Sequence, residues 1–442
     1  MLYDKLKKNG RIPFHMPGHK RNVSLLGSKL PYDIDITEID GFDNLHCPSG
    51  VIKEIEKKTQ RFYNSDNSFI LVNGSTAGIL AGVCSALKRG DKVLLSRNSH
   101  KSVYNAVELA GADAEYIVPD TDEYGIYKPV DISELELKIS EVNPRLIIIT
   151  SPTYEGVKSD IRKICETAHK RSIPVMVDAA HGADYTDEAN VADITIMSLH
   201  KTLPALTQCA VAHINGSLIS AEEFRIKLSV FETSSPSYVL MASVEECLDF
   251  VEKNNFLYQR LIDERKKLFD SLRALKRLRA FEYDSYTKLV VFSGYSDISG
   301  IELAEKLRSD YNIEVEMARQ SYIVLITTIC DDFNNYTILG NALIEIDKNL
   351  RDNAFVSEES FSLPEKKLRA DEIKSKESVP FLNAEGRISA EYIWAYPPGI
   401  PLIVPGEVIS ARLIETVTEE AQKGTNIQST YFKVPEKIYC QC

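Results

Sequence analysis

The sequence has 442 residues and a mass of 49.7 kDa, so it is too long for one compact domain and predicts about two or three. Lys and Arg total 52 against 64 Asp and Glu, and the net charge of −12 argues against a uniformly basic nucleic-acid-binding protein. Apolar residues make up 44% and charged residues 26%, a balance that excludes disorder as the main state.

Membrane and secretion signals are not found in the sequence. No stretch approaches the roughly 20 apolar residues that span a bilayer, and MLYDKLKKNG has no apolar core behind its charges. The eight cysteines are dispersed, and several lie within apolar runs such as VCSAL. These features predict a reduced, cytoplasmic protein without a metal site.

The first half of the chain changes character after an irregular start. Residues 1–45 are rich in Gly, Pro and His and are expected to form an arm. From residue 68 to 214, helical segments separate short β-branched runs: FILVN, KVLLS, AEYIVP, RLIIIT, PVMVDAAH, DITIMSLH and AVAHI. This alternation predicts seven strands in a mainly parallel α/β sheet, with ligands beyond the carboxyl ends of the strands.

The sequence pattern of the second half of the chain indicates several smaller structural units. One long helical stretch is expected from Ser237 to about Leu275, and residues 278–352 alternate strand and helix as a small α+β unit. Residues 353–380 are charged and predict a linker or an exposed helix, while the prolines and glycines of AYPPGIPLIVPGE fix a non-helical path. The predicted boundaries are an arm at 1–45, a large domain at 46–260, a small domain at 261–352, a linker at 353–380 and a C-terminal domain at 381–442.

Three features follow predicted strands. Gly74, Ser75 and Thr76 lie between a strand and a helix, where helical N–H groups and hydroxyls can face an anion, although Ser and Thr are also ordinary helix caps. Asp178 ends a buried strand, and His181 follows three residues later. A buried carboxylate is costly unless it meets a cation, so Asp178 either caps the next loop or pairs with a protonated ring nitrogen.

The third feature is Lys201, directly after the strand ITIMS and close to Ser198 and His200. A lysine that is partly desolvated loses basicity, and its neutral amine can form a Schiff base with an aldehyde. An anion cradle, an acid for a ring nitrogen and an amine for an aldehyde together match the requirements of pyridoxal 5′-phosphate (PLP).

The motifs also carry a resemblance. The order GST, DxAH and SxHK resembles the fold-type I, aspartate-aminotransferase-like PLP enzymes. More narrowly, FHMPGHK, SLHKTLPALTQ, ETSSPSY and YPPGIPLIVPGE resemble the Orn/Lys/Arg decarboxylase family, in its short bacterial form without a wing domain. The resemblance covers about residues 10–410, although Ala179 and Arg21-Asn22 depart from common family residues.

The resemblance implies a role for each candidate residue. Lys201 would hold PLP and return a proton to the substrate carbon, in which His200 could also take part. Asp178 would pair with the ring nitrogen, His181 would lie near the phenolic oxygen, and Glu407 would face the distal cation of the substrate. The resemblance also implies that His100 stacks on the ring. It implies phosphate ligands from this chain and one from the partner subunit, which are Ser75, Thr76, Ser198 and His200 of this chain and Ser234 of the partner subunit.

The expected activity is decarboxylation of a basic amino acid, with arginine slightly favoured over lysine or ornithine, to give agmatine or a diamine for polyamine metabolism. The resemblance also implies a homodimer or larger homo-oligomer whose active sites are shared, so that the His15–Lys20 arm and the Leu45–Gly50 loop could reach a neighbouring subunit. No nucleic-acid or membrane partner is expected. The alternatives are an aminotransferase or an aldolase-type lyase of the same fold, and a catalytically silent regulatory paralogue.

Overall fold

The computed structural model describes residues 1–11, 16–17, 19–353, 363–395, 399–432 and 436–442. Within these residues, seven strands form one sheet in the order β1-β7-β6-β5-β4-β2-β3. They are β1 (Asn67–Leu71), β2 (Lys92–Ser96), β3 (Asp113–Ile117), β4 (Leu146–Thr150), β5 (Val175–Asp178), β6 (Ile194–Ser198) and β7 (Ala210–Ile214). The seven predicted strands are therefore confirmed.

The direction of the strands follows the βα alternation of the sequence. β4, β5 and β6 run parallel to one another, β2 runs parallel to β3, and β7 is antiparallel to both of its neighbours, β1 and β6. The interior strands are mostly apolar and are buried along almost their whole length, because both faces of a sheet of this kind are covered. The carboxyl ends of β5 and β6 meet at one edge, where a site is expected.

The chain divides into two compact units. The first comprises Met1–Leu87, Arg145–Ser151 and Ile161–Phe256, and contains β1, β4, β5, β6 and β7. Its helices are α1 (Leu2–Lys7), α2 (Val23–Leu26), α3 (Val51–Tyr63), α4 (Gly74–Ala86), α7 (Ile161–His169), α8 (Leu199–Thr202), α9 (Ala221–Phe231) and α10 (Tyr238–Lys253).

The second unit comprises Lys88–Pro144, Pro152–Asp160 and Leu257–Cys442. Besides β2 and β3 it contains smaller sheets, ordered β10-β11-β9-β8, β12-β16 and β14-β13-β15. Its helices are α5 (Lys101–Ala110), α6 (Ile132–Val142), α11 (Phe256–Leu272), α12 (Gly300–Tyr311), α13 (Asn334–Asn349) and α14 (Ala411–Gln422). The first residue of α11, Phe256, is assigned to the first unit. The strands of its smaller sheets are β8 (Arg279–Phe281), β9 (Lys288–Phe292), β10 (Met317–Ala318), β11 (Tyr322–Ile326), β12 (Lys376–Pro380), β13 (Ile393–Ala395), β14 (Ile400–Ile403), β15 (Ile427–Ser429) and β16 (Lys437–Gln441).

One expectation of local structure was wrong, and a second did not include a strand that the structure shows. The long helix from Ser237 breaks into α10 and α11 because Asn254 leaves the helical conformation and its side chain donates to the Phe250 carbonyl (2.8 Å). The segment expected as a linker or exposed helix contributes β12, which pairs antiparallel with β16. The predicted domain boundaries stay predictions.

Burial follows the apolar pattern in both units. The first unit buries the strands around Ile70, Met176 and Ile196, and a separate apolar cluster lies around Ile393 and Val417 in the C-terminal part of the second. Among the described residues, the search for membrane-spanning helices finds no candidate.

Gly406, in the YPPGIPLIVPGE segment, occupies a turn at which the structure requires a glycine. Its φ is +95°, and a Cβ there would lie 2.0 Å from the Leu368 carbonyl oxygen, which belongs to rigid backbone. We expect Gly406→Ala to lower the free energy of unfolding by about 3 kcal/mol in urea denaturation followed by circular dichroism. Gly386 has a φ of +74° but no atom near its virtual Cβ, so Gly386→Ala should cost only about 1 kcal/mol. Equal unfolding midpoints for the two variants would contradict the steric explanation.

Candidate active site

Lys201 lies in the short helix α8, directly after the buried strand β6. Its Nζ is 3.0 Å from Nε2 of His181, and its side chain is half-buried. The structure therefore holds the amine beside an imidazole at the end of the sheet, as expected for a lysine that does not lie on the solvated surface.

Asp178 is the last residue of β5 and is only 3% exposed. One carboxylate oxygen accepts the backbone N–H of Ala180 (3.2 Å). Burial raises the pKa of this carboxyl, and the positive charge of Lys201 opposes the rise. Because β5 and β6 are parallel neighbours, with Asp178 opposite Ile196, the structure brings Asp178, His181 and Lys201 together.

The predicted anion cradle lies at the same edge as Lys201. Leu71 at the end of β1 and Ser198 at the end of β6 both pair with Ala210 of β7, so α4 and α8 begin close to one another. Asn73, which precedes α4, makes no side-chain capping bond, and Gly74 adopts a φ of +75°. The first turn of α4, with Ser75 half-buried and Thr76 exposed, therefore has no side-chain cap.

Two polar side chains of β6 and α8 complete this edge. Within the described part of the chain, the buried Ser198 Oγ has no hydrogen-bond partner. His200 Nδ1 is 2.9 Å from the Cys209 carbonyl oxygen, which orients the ring. An unpartnered hydroxyl, an uncapped helix start, a buried carboxyl and an amine fit the phosphate, ring nitrogen and aldehyde of PLP.

The segments expected to reach a partner subunit are anchored to this chain where they are described. His46 Nε2 lies 2.9 Å from the Thr233 carbonyl oxygen, and Ser234 is exposed. In the arm, His19 Nε2 is 3.1 Å from Asp35, whereas His15 and Gly18 lie outside the described residues. The reach of these segments into a second subunit stays a prediction.

Glu407, in the second unit, is fully buried and paired with Arg97. Arg97 Nη2 is 3.3 Å from Glu407 Oε2, which also accepts the Val404 N–H at 2.9 Å. Burial raises the pKa of Glu407, and Arg97 opposes the rise. Burial disfavours the Arg97 charge, but Tyr104 and Glu407 outweigh it and raise the pKa of the guanidinium. Within the described ranges, Glu407 Oε1 has no hydrogen-bond partner.

His100, also in the second unit, caps α5. Its Nδ1 accepts the Ser102 N–H (3.2 Å), and the N–H of Lys101 donates to the Gly399 carbonyl (3.1 Å). The ring-stacking role that the resemblance implies for His100 stays a prediction, as does the substrate role of Glu407. Tyr396, Pro397 and Pro398 of the proline-rich motif lie outside the described residues.

Among the buried charged residues that the sequence reasoning did not single out, two bear on the proposals below. Arg97 follows strand β2 in LLSRNSH, and Glu232 begins the ETSSPSY motif. The signal for Arg97 was available, because a charged residue directly after an apolar strand needs a partner in the same way as Asp178 does.

The pairing of Arg97 with Glu407 can be measured by a double-mutant cycle. We expect Arg97→Met to lower the free energy of unfolding by about 3–5 kcal/mol, because it leaves a buried carboxylate unpaired. Replacing both residues with Met should restore most of that loss in urea denaturation. Arg308→Met, at an exposed pair with Glu314, is the control and should change stability little. Additive losses in the cycle would contradict the pairing.

Comparisons with known proteins identify the family of this chain. Residues 2–291 match the major domain of Orn/Lys/Arg decarboxylases, and residues 348–423 match their C-terminal domain. The chain is 35% identical to a Bacillus subtilis protein called uncharacterized protein YaaO, over 99% of this chain and 97% of that one. It is 31% identical to an arginine decarboxylase of the same species, over 97% of this chain and 94% of the relative. The structure of an E. coli constitutive lysine decarboxylase has a TM-score of 0.82 at 18% identity, covering 100% of this chain and 81% of that one.

Proposed function

Because this chain belongs to the Orn/Lys/Arg decarboxylase family, and is thus a PLP-dependent amino acid decarboxylase, we propose that its substrate is arginine and its product agmatine. Lysine and ornithine are the next candidates. The proposal of arginine is supported by relatives that are named arginine decarboxylase and match almost the whole chain. The same reaction would supply polyamine metabolism.

The observation that supports the decarboxylation mechanism is the group formed by Lys201, His181 and Asp178. The amine lies 3.0 Å from the imidazole, and the buried carboxyl interacts with the charge of the amine. When bound, PLP supplies an aldehyde for the amino group and a ring that accepts the electron pair left by departing CO2. Asp178 would keep the ring nitrogen protonated, which is where that negative charge is best compensated.

Proton transfer to the substrate carbon is assigned to Lys201, with His200 as the alternative donor. His181 orients the Lys201 amine through the 3.0 Å contact. His200 Nδ1 is occupied by the Cys209 carbonyl, so Nε2 is the nitrogen left to carry a proton to the substrate. Both groups are fixed by α8, which keeps them on rigid backbone.

The remaining contacts are proposed from the uncapped start of α4 and the resemblance of the motifs. The phosphate would be held by Ser75, Thr76, Ser198 and His200, with Ser234 of the partner subunit, in a homodimer or larger homo-oligomer. His100 would stack on the ring. Glu407 Oε1, which has no hydrogen-bond partner among the described residues, would accept the distal cation of the substrate.

Substrate choice is tested by incubating the purified protein and PLP with arginine, lysine or ornithine separately. We expect CO2 release to be fastest with arginine and the amine product to be agmatine, identified by mass spectrometry. Cadaverine or putrescine as the main product would contradict the arginine assignment, and no CO2 from any of the three would contradict the proposed activity.

Lys201 and Asp178 are tested separately from substrate choice. Lys201→Ala should lose the yellow absorbance of lysine-bound PLP and lower CO2 release by about 1000-fold or more. Asp178→Asn should retain bound PLP but lower turnover by about 100- to 1000-fold, because the ring nitrogen loses its anionic partner. The control is Lys57→Ala, at an exposed lysine of α3 paired with Glu54. A Lys201→Ala protein with normal turnover would contradict the assignment.

A further inference from the structure

Glu232 is a buried carboxyl for which the proposed reaction has no use. It follows α9 directly and is only 6% exposed. Its Oε1 accepts the backbone N–H groups of Val72 (3.2 Å) and Asn73 (3.4 Å). Its Oε2 is buried and has no hydrogen-bond partner in the part of the chain that the structure describes.

The two N–H groups that Glu232 binds belong to the turn between β1 and α4. The same turn is tied a second time, because Asn73 Nδ2 donates to the Phe231 carbonyl (3.1 Å). Gly74 N–H donates to the Gln208 carbonyl (3.0 Å) at the next position. The path of the chain into the first turn of α4 therefore depends on residues 231 and 232.

Among the residues that the structure describes, Glu232 makes no ion pair, and only burial and the N–H groups of Asn73 and Val72 shift its pKa. Residues 67–87, 202–220 and 233–244 contain no Asp, Glu, Lys or Arg. The cations on its own helix, Arg225 and Lys227, pair with Glu56 and Glu223. The titratable groups of these three segments are Cys84, Cys209, His213 and Tyr238, and His46 Nε2 lies 2.9 Å from the carbonyl oxygen of the next residue, Thr233.

The four groups of these segments stay uncharged near neutral pH. Burial raises the pKa of both thiols and of Tyr238, and lowers the pKa of His213 to about 3. Burial likewise raises the pKa of Glu232 to about 7, although the N–H groups of Asn73 and Val72 lower it in part. Within the described part of the chain, an ionised Glu232 is thus compensated by the two backbone N–H dipoles of Asn73 and Val72.

We propose that Glu232 is a positioning residue which holds the Val72–Asn73 turn for the cofactor phosphate and, when ionised, weakens phosphate binding. This inference rests on the proposed phosphate contacts at the start of α4. The carboxylate of Glu232 and the cofactor phosphate would both interact with the positive N-terminal end of α4. Two negative charges this close repel each other strongly in a poorly solvated site. Binding of a proton to Glu232 and binding of PLP therefore favour each other, and this coupling is reciprocal.

The experiment measures the dissociation constants of PLP and of pyridoxal, which lacks the phosphate, by equilibrium dialysis at pH 6.0, 7.0 and 8.5. We expect wild-type affinity for PLP to fall by about fivefold or more between pH 6.0 and 8.5, beyond any change seen with pyridoxal. Glu232→Gln keeps an oxygen for the two N–H groups but cannot ionise, so this additional fall should disappear. Glu232→Ala should bind PLP about tenfold more weakly at every pH, because both N–H groups lose their acceptor.

The control is Glu223→Gln, at a surface position of α9, which should follow the wild-type profile. If Glu232→Gln retains the wild-type pH profile for PLP, or if pyridoxal shows the same loss as PLP, the proposal is overturned. Should Glu232→Ala fail to fold, the comparison of wild type with Glu232→Gln decides. The affinities for PLP and pyridoxal do not depend on which amino acid is decarboxylated. A negative result in this binding experiment would therefore overturn the role of Glu232 without affecting the proposed function.

Discussion

An ionised carboxylate at the end of a buried strand is costly unless nearby positive charge compensates it, and the candidate active site is organised around this constraint. Asp178 is almost fully buried, and Lys201 supplies the charge that opposes the rise of its pKa. The two residues lie at the same edge because β5 and β6 are parallel neighbours whose carboxyl ends share it. The contact of Lys201 with His181 then fixes the amine, so that one electrostatic requirement of the fold also arranges the groups that PLP needs.

Much of this site could be predicted from the sequence because strand ends are easy to recognise. The apolar runs before Asp178 and Lys201 identified β5 and β6, and a parallel sheet brings such ends together whatever its remaining details. Which strand lies next to which could not be read in the same way. The pairing of both Leu71 and Ser198 with Ala210, which brings α4 and α8 to one edge, depends on β7 being inserted antiparallel between β1 and β6.

The features that the sequence did not reveal depend on contacts between distant segments. Arg97 and Glu407 are separated by more than 300 residues, so only the folded second unit makes them an ion pair. The break between α10 and α11 lies in a stretch with continuous helical periodicity, where a local hydrogen bond of Asn254 competes with the helix. β12 was missed because its residues are mostly exposed and polar, and its pairing with β16 is what makes it a strand.

Glu232 and Glu407 show how the same side chain can be made compatible with burial in different ways, and this bears on the choice of substrate. Glu232 has only backbone N–H groups as partners, so its neutral form is favoured, whereas Glu407 faces a guanidinium. A pair of Glu407 with Arg97 has little net charge, so it attracts a distant cation less strongly than a lone carboxylate would. Selection at Glu407 Oε1 would therefore depend on directed hydrogen bonds more than on charge. A planar guanidinium, with five donors in a fixed arrangement, satisfies that requirement better than a hydrated ammonium group, which favours arginine over lysine or ornithine as the proposed substrate.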